Sequence, residues 1–385
     1  MSEDPLATAT ELRDLIVEYR DETESQRQIA QPIVEKLVET RLCRMALPAA
    51  SGGLETSPLE ALAVYEALAA AEASVAWVAW NNSLVCWFAR FLSPDVRDEI
   101  FGNPSLVFAN STRPSGKAVL DGDRYRISGR WGLVSGCMHA DWIPVMCLLE
   151  ENGEPQMVAP DTPGMRMFFV PRDRYEILDT WYVGGLRGTG SHDVVLEEVA
   201  VSSDRSIFFT DPSLIDTPLG RVPITITMAA GCASICLGIA QSAIDTLIEL
   251  GKSKISPGPT PELRDRASNQ STLASTSTTI EALRSHLRTT YGRIWSLAQD
   301  GDAPSPEDLA EAWGACISTA FACRDAVTAT YAMAGTSALY VDCPIERAHR
   351  DIHAVMQHIV LQPLFLEQAG KVKLGLEPDT PLFYA

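Results

Sequence analysis

Three zones of differing hydrophobic period along the 385 residues predict a mainly α, α+β protein in three parts. Capped, Ala-rich helical runs occupy residues 1–105. Alternating strands with turn pairs follow over 106–215. A long uncharged helical run with two further helix starts fills 216–385. The expected architecture is an N-terminal helical domain, a central β-barrel and a C-terminal four-helix bundle.

In the first part, Ser57-Pro58-Leu59-Glu60 is a helix start: Ser57 can cap, Pro58 suits the first turn and Glu60 completes a capping box. Ser93-Pro94-Asp95 starts a shorter helix that stops at Gly102. In the second, Val119–Ser128 alternates around Asp121-Gly122-Asp123, a hairpin signal. Asn152-Gly153 marks another hairpin, between WIPVMCLLE and QMVAP. Met165–Val170, Tyr175–Leu178 and Asp193–Val201 read as further short strands, and strands at this spacing suggest a barrel or sandwich. In the third, Thr260-Pro261-Glu262 and Ser305-Pro306-Glu307 each place a capping residue before proline. Four or five long helices fit there, hence a bundle. Val222–Ile244 carries no charge and is long enough to span a bilayer. Its Gly, Ala, Ser and Thr content, without aromatic belt or basic flank, points instead to a helix buried in a bundle.

The balance of 31 basic against 50 acidic residues leaves a charge of −19, which opposes phosphate backbones and anionic lipid. Nucleic acid and membrane are therefore not expected as partners. The N-terminal MSEDPLATATELRDL lacks a basic region followed by an apolar one, so no signal peptide is expected. The nine cysteines are scattered, with no CxxC pair; reduced thiols, a cytoplasmic setting and no metal site are the expectation. Gly185–Gly190 runs G-x-x-G-x-G, the wrong order for a dinucleotide fingerprint. No P-loop, HExxH or GxSxG occurs, which removes support for NTPase, zincin and α/β-hydrolase chemistry.

Four blocks in a fixed order carry a resemblance. They are Phe108-Ala109-Asn110-Ser111-Thr112-Arg113-Pro114; Arg130-Trp131-Gly132-Leu133-Val134-Ser135-Gly136-Cys137-Met138-His139-Ala140-Asp141; Trp181 with Gly185-Leu186-Arg187-Gly188-Thr189-Gly190-Ser191; and Ala334-Gly335-Thr336-Ser337-Ala338-Leu339-Tyr340 leading through Pro344-Ile345-Glu346-Arg347 into Arg350-Asp351-Ile352-His353-Ala354-Val355-Met356-Gln357-His358. Together they resemble the acyl-CoA dehydrogenase superfamily, from residue 40 onward. The second block resembles the form found in its flavin-dependent, two-component monooxygenase branch.

That resemblance implies reduced FMN or FAD, delivered by a separate flavin reductase and used with O2 through a C4a-hydroperoxyflavin. The substrate would be a small aromatic or polycyclic molecule, hydroxylated or oxygenated at N or S, and the assembly a homotetramer. It implies flavin contacts from Asn110, Ser111, Thr112, Trp131, Ser135, Gly136, Gly335, Thr336 and His358, with Trp87, Arg187 and His353 on the substrate side. Arg264 or Arg266 would meet a flavin phosphate across a subunit contact; otherwise each lies on a solvated helix face. The chemistry is consistent, since a flavin needs hydrogen-bond partners at its edge and a dry wall against its rings. Taken alone, Ser135 reads as a turn serine and Trp131 as a core aromatic.

His358 and Ser135 are the catalytic candidates. Helical spacing sets His358 near Ala354 and Val355, and the resemblance makes it the base or proton donor. His353 points about 140° away and is the weaker candidate, with a subunit interface as its other reading. His139 closes the Ser-Gly turn as a structural residue. An acyl-CoA dehydrogenase is the runner-up, but the position of its carboxylate base is filled by Ile359, which cannot take a proton. Relatives carry another histidine in the stretch from Trp80 to Arg90; here there is none. A non-catalytic paralogue on the same scaffold is the third reading.

Overall fold

The N-terminal helices begin where side chains can satisfy free N–H groups. In the computed structural model, which describes residues 4–159, 162–253 and 261–384, Asp4 caps α1 (Pro5–Glu11). α2 (Arg13–Gln26) and α3 (Gln31–Glu39) follow. Ser57 accepts a bond from the Glu60 N–H at the head of α4 (Pro58–Ala71), as its spacing predicts. Glu72 then turns to extended backbone, ends α4 and caps α5 (Ala73–Trp87) through Ser74 N–H. Every residue of α5 is buried, so this helix runs through the interior. α6 (Pro94–Phe101) stops at Gly102.

Ten strands follow among the described residues: β1 (Ser111–Asp121), β2 (Arg124–Trp131), β3 (Trp142–Glu151), β4 (Glu154–Pro155), β5 (Met157–Ala159), β6 (Thr162–Pro163), β7 (Met165–Pro171), β8 (Glu176–Leu178), β9 (Asp193–Ser202) and β10 (Ser206–Ile207). The main sheet runs β10-β7-β3-β1-β2-β9-β8, with β4 added to β3. The hairpin at Asp121-Gly122-Asp123 joins β1 to β2, with Asp121 opposite Arg124. The sheet curls until Tyr125 on β2 meets Phe168 on β7 at 5.0 Å, although two strands separate them. The curl encloses a core of its own, including Trp131, Val145 and Val194. No ladder joins the end strands β8 and β10 among the described residues, so the expected barrel is a curled open sheet.

The second hairpin is shorter than the sequence predicts. Asn152 and Gly153 both take positive φ, as a two-residue turn requires. The ladder with β3 reaches Pro155, and one further bond runs from the Gln156 N–H to the Leu149 carbonyl at 2.8 Å. Met157–Ala159 pairs with β6 instead, and Pro160 of the expected strand lies outside the described residues.

The chain returns to helix with α7 (Pro218–Arg221), α8 (Ile224–Ser253), α9 (Ala267–Asp300), α10 (Pro306–Ala334), α11 (Pro344–Val355) and α12 (Leu364–Lys373). Ser305 and Asp308 form a full capping box on α10. The start expected at 260–262 is displaced: Thr260 lies outside the described residues, and α9 opens at Ala267 after a single tight turn over Leu263–Asp265. Among the described residues three long helices and three short ones form this part, where four or five long ones were expected; α11 and α12 pack on α10. α8 is apolar and long enough to cross a membrane, yet 83% of its most apolar window is buried in protein. It packs between α4, α10 and α11, so its apolarity serves the core.

Candidate active site

Side chains from all three parts converge at one place. α5 presents Trp77 and Trp80, three residues apart and so on one helix face, with ring centroids 4.9 Å apart. The His358 ring meets both edge-on, at 5.6 Å from Trp77 and 5.4 Å from Trp80. The indole N–H of Trp77 donates to Ser135 Oγ at 3.0 Å, in the connection between β2 and β3. The sequence reading named Ser135 and His358 but missed Trp77, the residue that joins them. Its signal was the Trp-x-x-Trp spacing inside an uncharged helix.

His358 does not sit on a helix, contrary to the spacing argument. α11 ends at Val355, and His358 turns into extended backbone (φ −66°, ψ 138°) as the cap of a tight turn over Ile359–Leu361. The exit from the helix swings the ring into the tryptophans. Its Nδ1 accepts from the Val360 N–H at 3.5 Å, which leaves the proton on Nε2. Desolvation alone lowers its pKa to about 4, so the ring is neutral at pH 7. No carboxylate or cation enters that shift.

Ser135 belongs to a chain of hydroxyls. Its Oγ lies 2.7 Å from Ser191 Oγ, and Ser191 Oγ lies 2.6 Å from Thr189 Oγ1. Thr189 Oγ1 donates to the Leu186 carbonyl at 2.8 Å. Leu186 itself has a left-handed backbone (φ 51°), strained for a leucine, and its N–H is held by the Asp351 carboxylate at 2.6 Å. The Gly185–Ser191 loop is thereby clamped to α11. Gly185 permits the approach, because a Cβ there would lie 2.1 Å from the Arg350 carbonyl. Asp351 and Glu72 are both buried, and burial raises the pKa of each; the Glu72 charge raises that of Asp351 further, and Arg347 stands against Glu72 at 3.5 Å.

The remaining candidates divide. Asn110 is buried and bonds to Asn81 of α5 at 3.2 Å. Ser111 is buried with no partner for its hydroxyl, while Thr112 beside it is exposed. Gly136 donates its N–H to the Thr189 carbonyl. His139 closes the turn through its N–H to the Gly136 carbonyl, as expected. Trp131 is no flavin wall. It is fully buried in the sheet's core, its N–H donates to the Met146 carbonyl at 2.7 Å, and it fills the space above Gly116. A wall needs an accessible face, and Trp131 has none. Arg187 lies 3.7 Å from Glu24 of α2, half-exposed. His353 is exposed and meets His349 edge-on at 4.8 Å. Gly335 and Thr336 form an exposed turn after α10, and Arg266 donates to the Pro261 carbonyl at the head of α9. None of these last five touches the Trp77–His358 cage in the hydrogen bonds and ring contacts of the described residues.

Trp87 lines a cavity of about 30 Å³ between α4, α5 and α8, with Thr56, Tyr65, Trp80, Ser83 and Tyr291. No charged side chain lines it. Trp80 belongs both to this cavity and to the cage, and its indole N–H is buried without a partner, as is the Thr56 hydroxyl. A neutral imidazole, unpaired polar groups and a dry aromatic wall suit proton transfer at a flat, hydrogen-bonding substrate.

The chain matches the family model "Acyl-CoA dehydrogenase, N-terminal domain" over residues 7–102 and "Acyl-CoA dehydrogenase, C-terminal domain" over residues 230–363. It is 28% identical over 375 residues to an indole-3-acetate monooxygenase of Acinetobacter baumannii, covering 96% of this chain and 95% of that one. Two solved structures superpose with TM-scores of 0.90 at 25% identity. One is the 3-HSA hydroxylase of Rhodococcus sp. RHA1, covering 99% of this chain and 98% of that one. The other is XiaF of a Streptomyces species in complex with FADH2 and glycerol, covering 98% and 96%. The chain therefore belongs to the acyl-CoA dehydrogenase family, and the relatives it matches along nearly its whole length are flavin-dependent monooxygenases.

Proposed function

We propose that this protein is the oxygenase component of a two-component flavin monooxygenase. It takes reduced FMN or FAD from a separate reductase and uses O2 to oxygenate a small aromatic substrate. The observation that carries this reading is the neutral His358 set between Trp77 and Trp80, with Ser135 bonded to Trp77. A flavin fits these residues. The Ser111 hydroxyl is buried and unpaired, a cost that a ring with a hydrogen-bonding edge would remove. Reduced flavin, when bound, supplies the electrons that activate O2. Trp77 and Trp80 keep water from that edge. His358, neutral, presents Nε2–H as a hydrogen-bond donor to the oxygen being transferred or to the substrate.

The small cavity beside Trp80 has no charged lining, so an unpaired charge buried there would go uncompensated. No carboxylate borders His358, and Ile359 points outward at 59% exposure, so the cage holds no base for acyl-CoA desaturation. All nine cysteines are unpaired thiols, which suits a reducing, cytoplasmic setting.

Anaerobic titration with reduced and oxidised FMN and FAD, followed by mixing with O2, tests this reading. The purified protein is expected to be colourless and to bind the reduced form more tightly. Stoichiometric yellow FAD retained through gel filtration would instead establish the dehydrogenase. A tetramer is expected as well: Leu339, Tyr340 and Val341 form an exposed apolar stretch after α10, of the kind a second copy covers. Solution scattering that returns a monodisperse monomer sinks that expectation.

A further inference from the structure

We infer that Thr189 and Ser191 are positioning residues that turn the Ser135 hydroxyl away from the flavin, so that Ser135 offers it only an acceptor and selects the reduced, N–H-bearing form. This rests on the flavin reading above. The basis is a count of hydrogens. Each hydroxyl carries one hydrogen and can accept two bonds. The Leu186 carbonyl has no hydrogen, so at 2.8 Å Thr189 must donate to it. With that hydrogen committed, the 2.6 Å contact between Thr189 and Ser191 needs Ser191 as donor. With that one committed too, the 2.7 Å contact between Ser191 and Ser135 needs Ser135 as donor. Trp77 N–H then donates into Ser135 Oγ at 3.0 Å, and an indole nitrogen can do nothing else.

The reversed chain fails at its far end, where it would set the Thr189 and Leu186 oxygens lone pair to lone pair at 2.8 Å. Ser135 therefore keeps one unused lone pair and no hydrogen. Its backbone N–H is also taken, by the Leu133 carbonyl at 3.0 Å. Ser135, Thr189 and Ser191 are 5%, 1% and 3% exposed, so solvent does not reset the directions. The chain is anchored from outside, because Asp351 fixes Leu186 in its left-handed conformation through the Leu186 N–H.

Flavin chemistry makes this direction selective. The N5 atom of an oxidised flavin only accepts a hydrogen bond, whereas that of a reduced flavin carries a hydrogen. A lone pair opposite N5 favours the second and repels the first. Trp77, Thr189 and Ser191 thus act through Ser135 without touching the reacting atoms themselves.

The test is the ratio of Kd for oxidised FMN to Kd for reduced FMN, read anaerobically by quenching of tryptophan fluorescence. Ser191→Ala frees the Ser135 hydroxyl to turn toward N5, and the ratio is expected to narrow about tenfold, the worth of one hydrogen bond. Thr189→Val should shift it the same way by less, since Ser191 can then reverse. Ser191→Thr keeps the hydroxyl and should keep the ratio. If Ser191→Ala does not fold, Ser191→Cys, a weak donor and acceptor, gives the same reading. Equal loss of affinity for both forms, with the ratio unchanged in a protein that otherwise prefers reduced FMN, overturns this inference alone. A wild-type protein that binds neither form overturns the flavin reading and this inference together.

Discussion

Replacing His358 by alanine is expected to lower product formation by roughly 10²–10⁴, the range for a lost acid–base group, while sparing the fold and the binding of reduced flavin. The ring's neighbours are the faces of Trp77 and Trp80, and its one hydrogen-bonded neighbour is the Val360 N–H at a long 3.5 Å. Little structure hangs on it. Hydrogen peroxide released per reductant consumed should rise in step, because activated oxygen that is not transferred leaves as peroxide. The pH response carries the sign of a depressed pKa. The folded pKa, about 4, lies below the ordinary histidine value of 6.5, so the unfolded chain binds the proton more readily between these values. Stability from this residue is present above pH 6.5 and is lost as pH falls toward 4. His358→Gln should flatten that part of the stability profile. A variant that melts, with coupling unchanged in the enzyme that survives, would make His358 a core residue only. Ile359→Glu should not confer acyl-CoA dehydrogenase activity, because its side chain points outward, away from the cage.

The second large effect belongs to Asp351. Its carboxylate is buried beside Glu72 and accepts the Leu186 N–H, which holds the loop carrying Thr189 and Ser191. Asp351→Ala leaves that N–H buried and unpaired, at a cost of about 1–3 kcal/mol in unfolding free energy. Asp351→Asn keeps an oxygen acceptor in the same place and should lose much less. The two variants also part in pH dependence. Burial raises the folded pKa of Asp351 above its ordinary 3.8, so the folded state binds more protons than the unfolded chain above that value. Asp351's own contribution to stability is therefore greatest in acid and falls as pH climbs from the ordinary carboxylate range toward neutrality. Asp351→Asn should weaken that fall and leave the part due to Glu72, whose pKa is raised as well. Denaturant melts at pH 5 and pH 8 measure both effects. A stability difference between wild type and Asp351→Asn that is the same at pH 5 and pH 8 would refute the buried-acid account.

What the residue order determined by itself was local chemistry. Ser57, Ser93 and Ser305 each precede a proline that opens a helix, and the structure starts α4, α6 and α10 there. Asp121-Gly122-Asp123 turns one strand into the next because glycine tolerates positive φ there. The uncharged run after Val222 is a buried helix. Capping, turn geometry and hydrophobic period act over a few residues, so a window of sequence contains them whole.

The site was decided at longer range. Trp77 and Ser135 are 58 positions apart, and Leu186 and Asp351 are 165 apart. Motif blocks could mark Ser135 and His358 but not that Trp77 stands between them. Helical periodicity put His358 on a helix that in fact ends at Val355, because the packing of the last turn ends a helix where no proline or glycine announces it. Trp131 read as a flavin wall by its motif and became core, since two flanking glycines leave room for its ring inside the sheet. The direction of the Thr189–Ser191–Ser135 chain exists only once three buried hydroxyls stand within 2.6–2.7 Å of their neighbours with one hydrogen each. That is a property of packed positions, and no spacing along the chain encodes it.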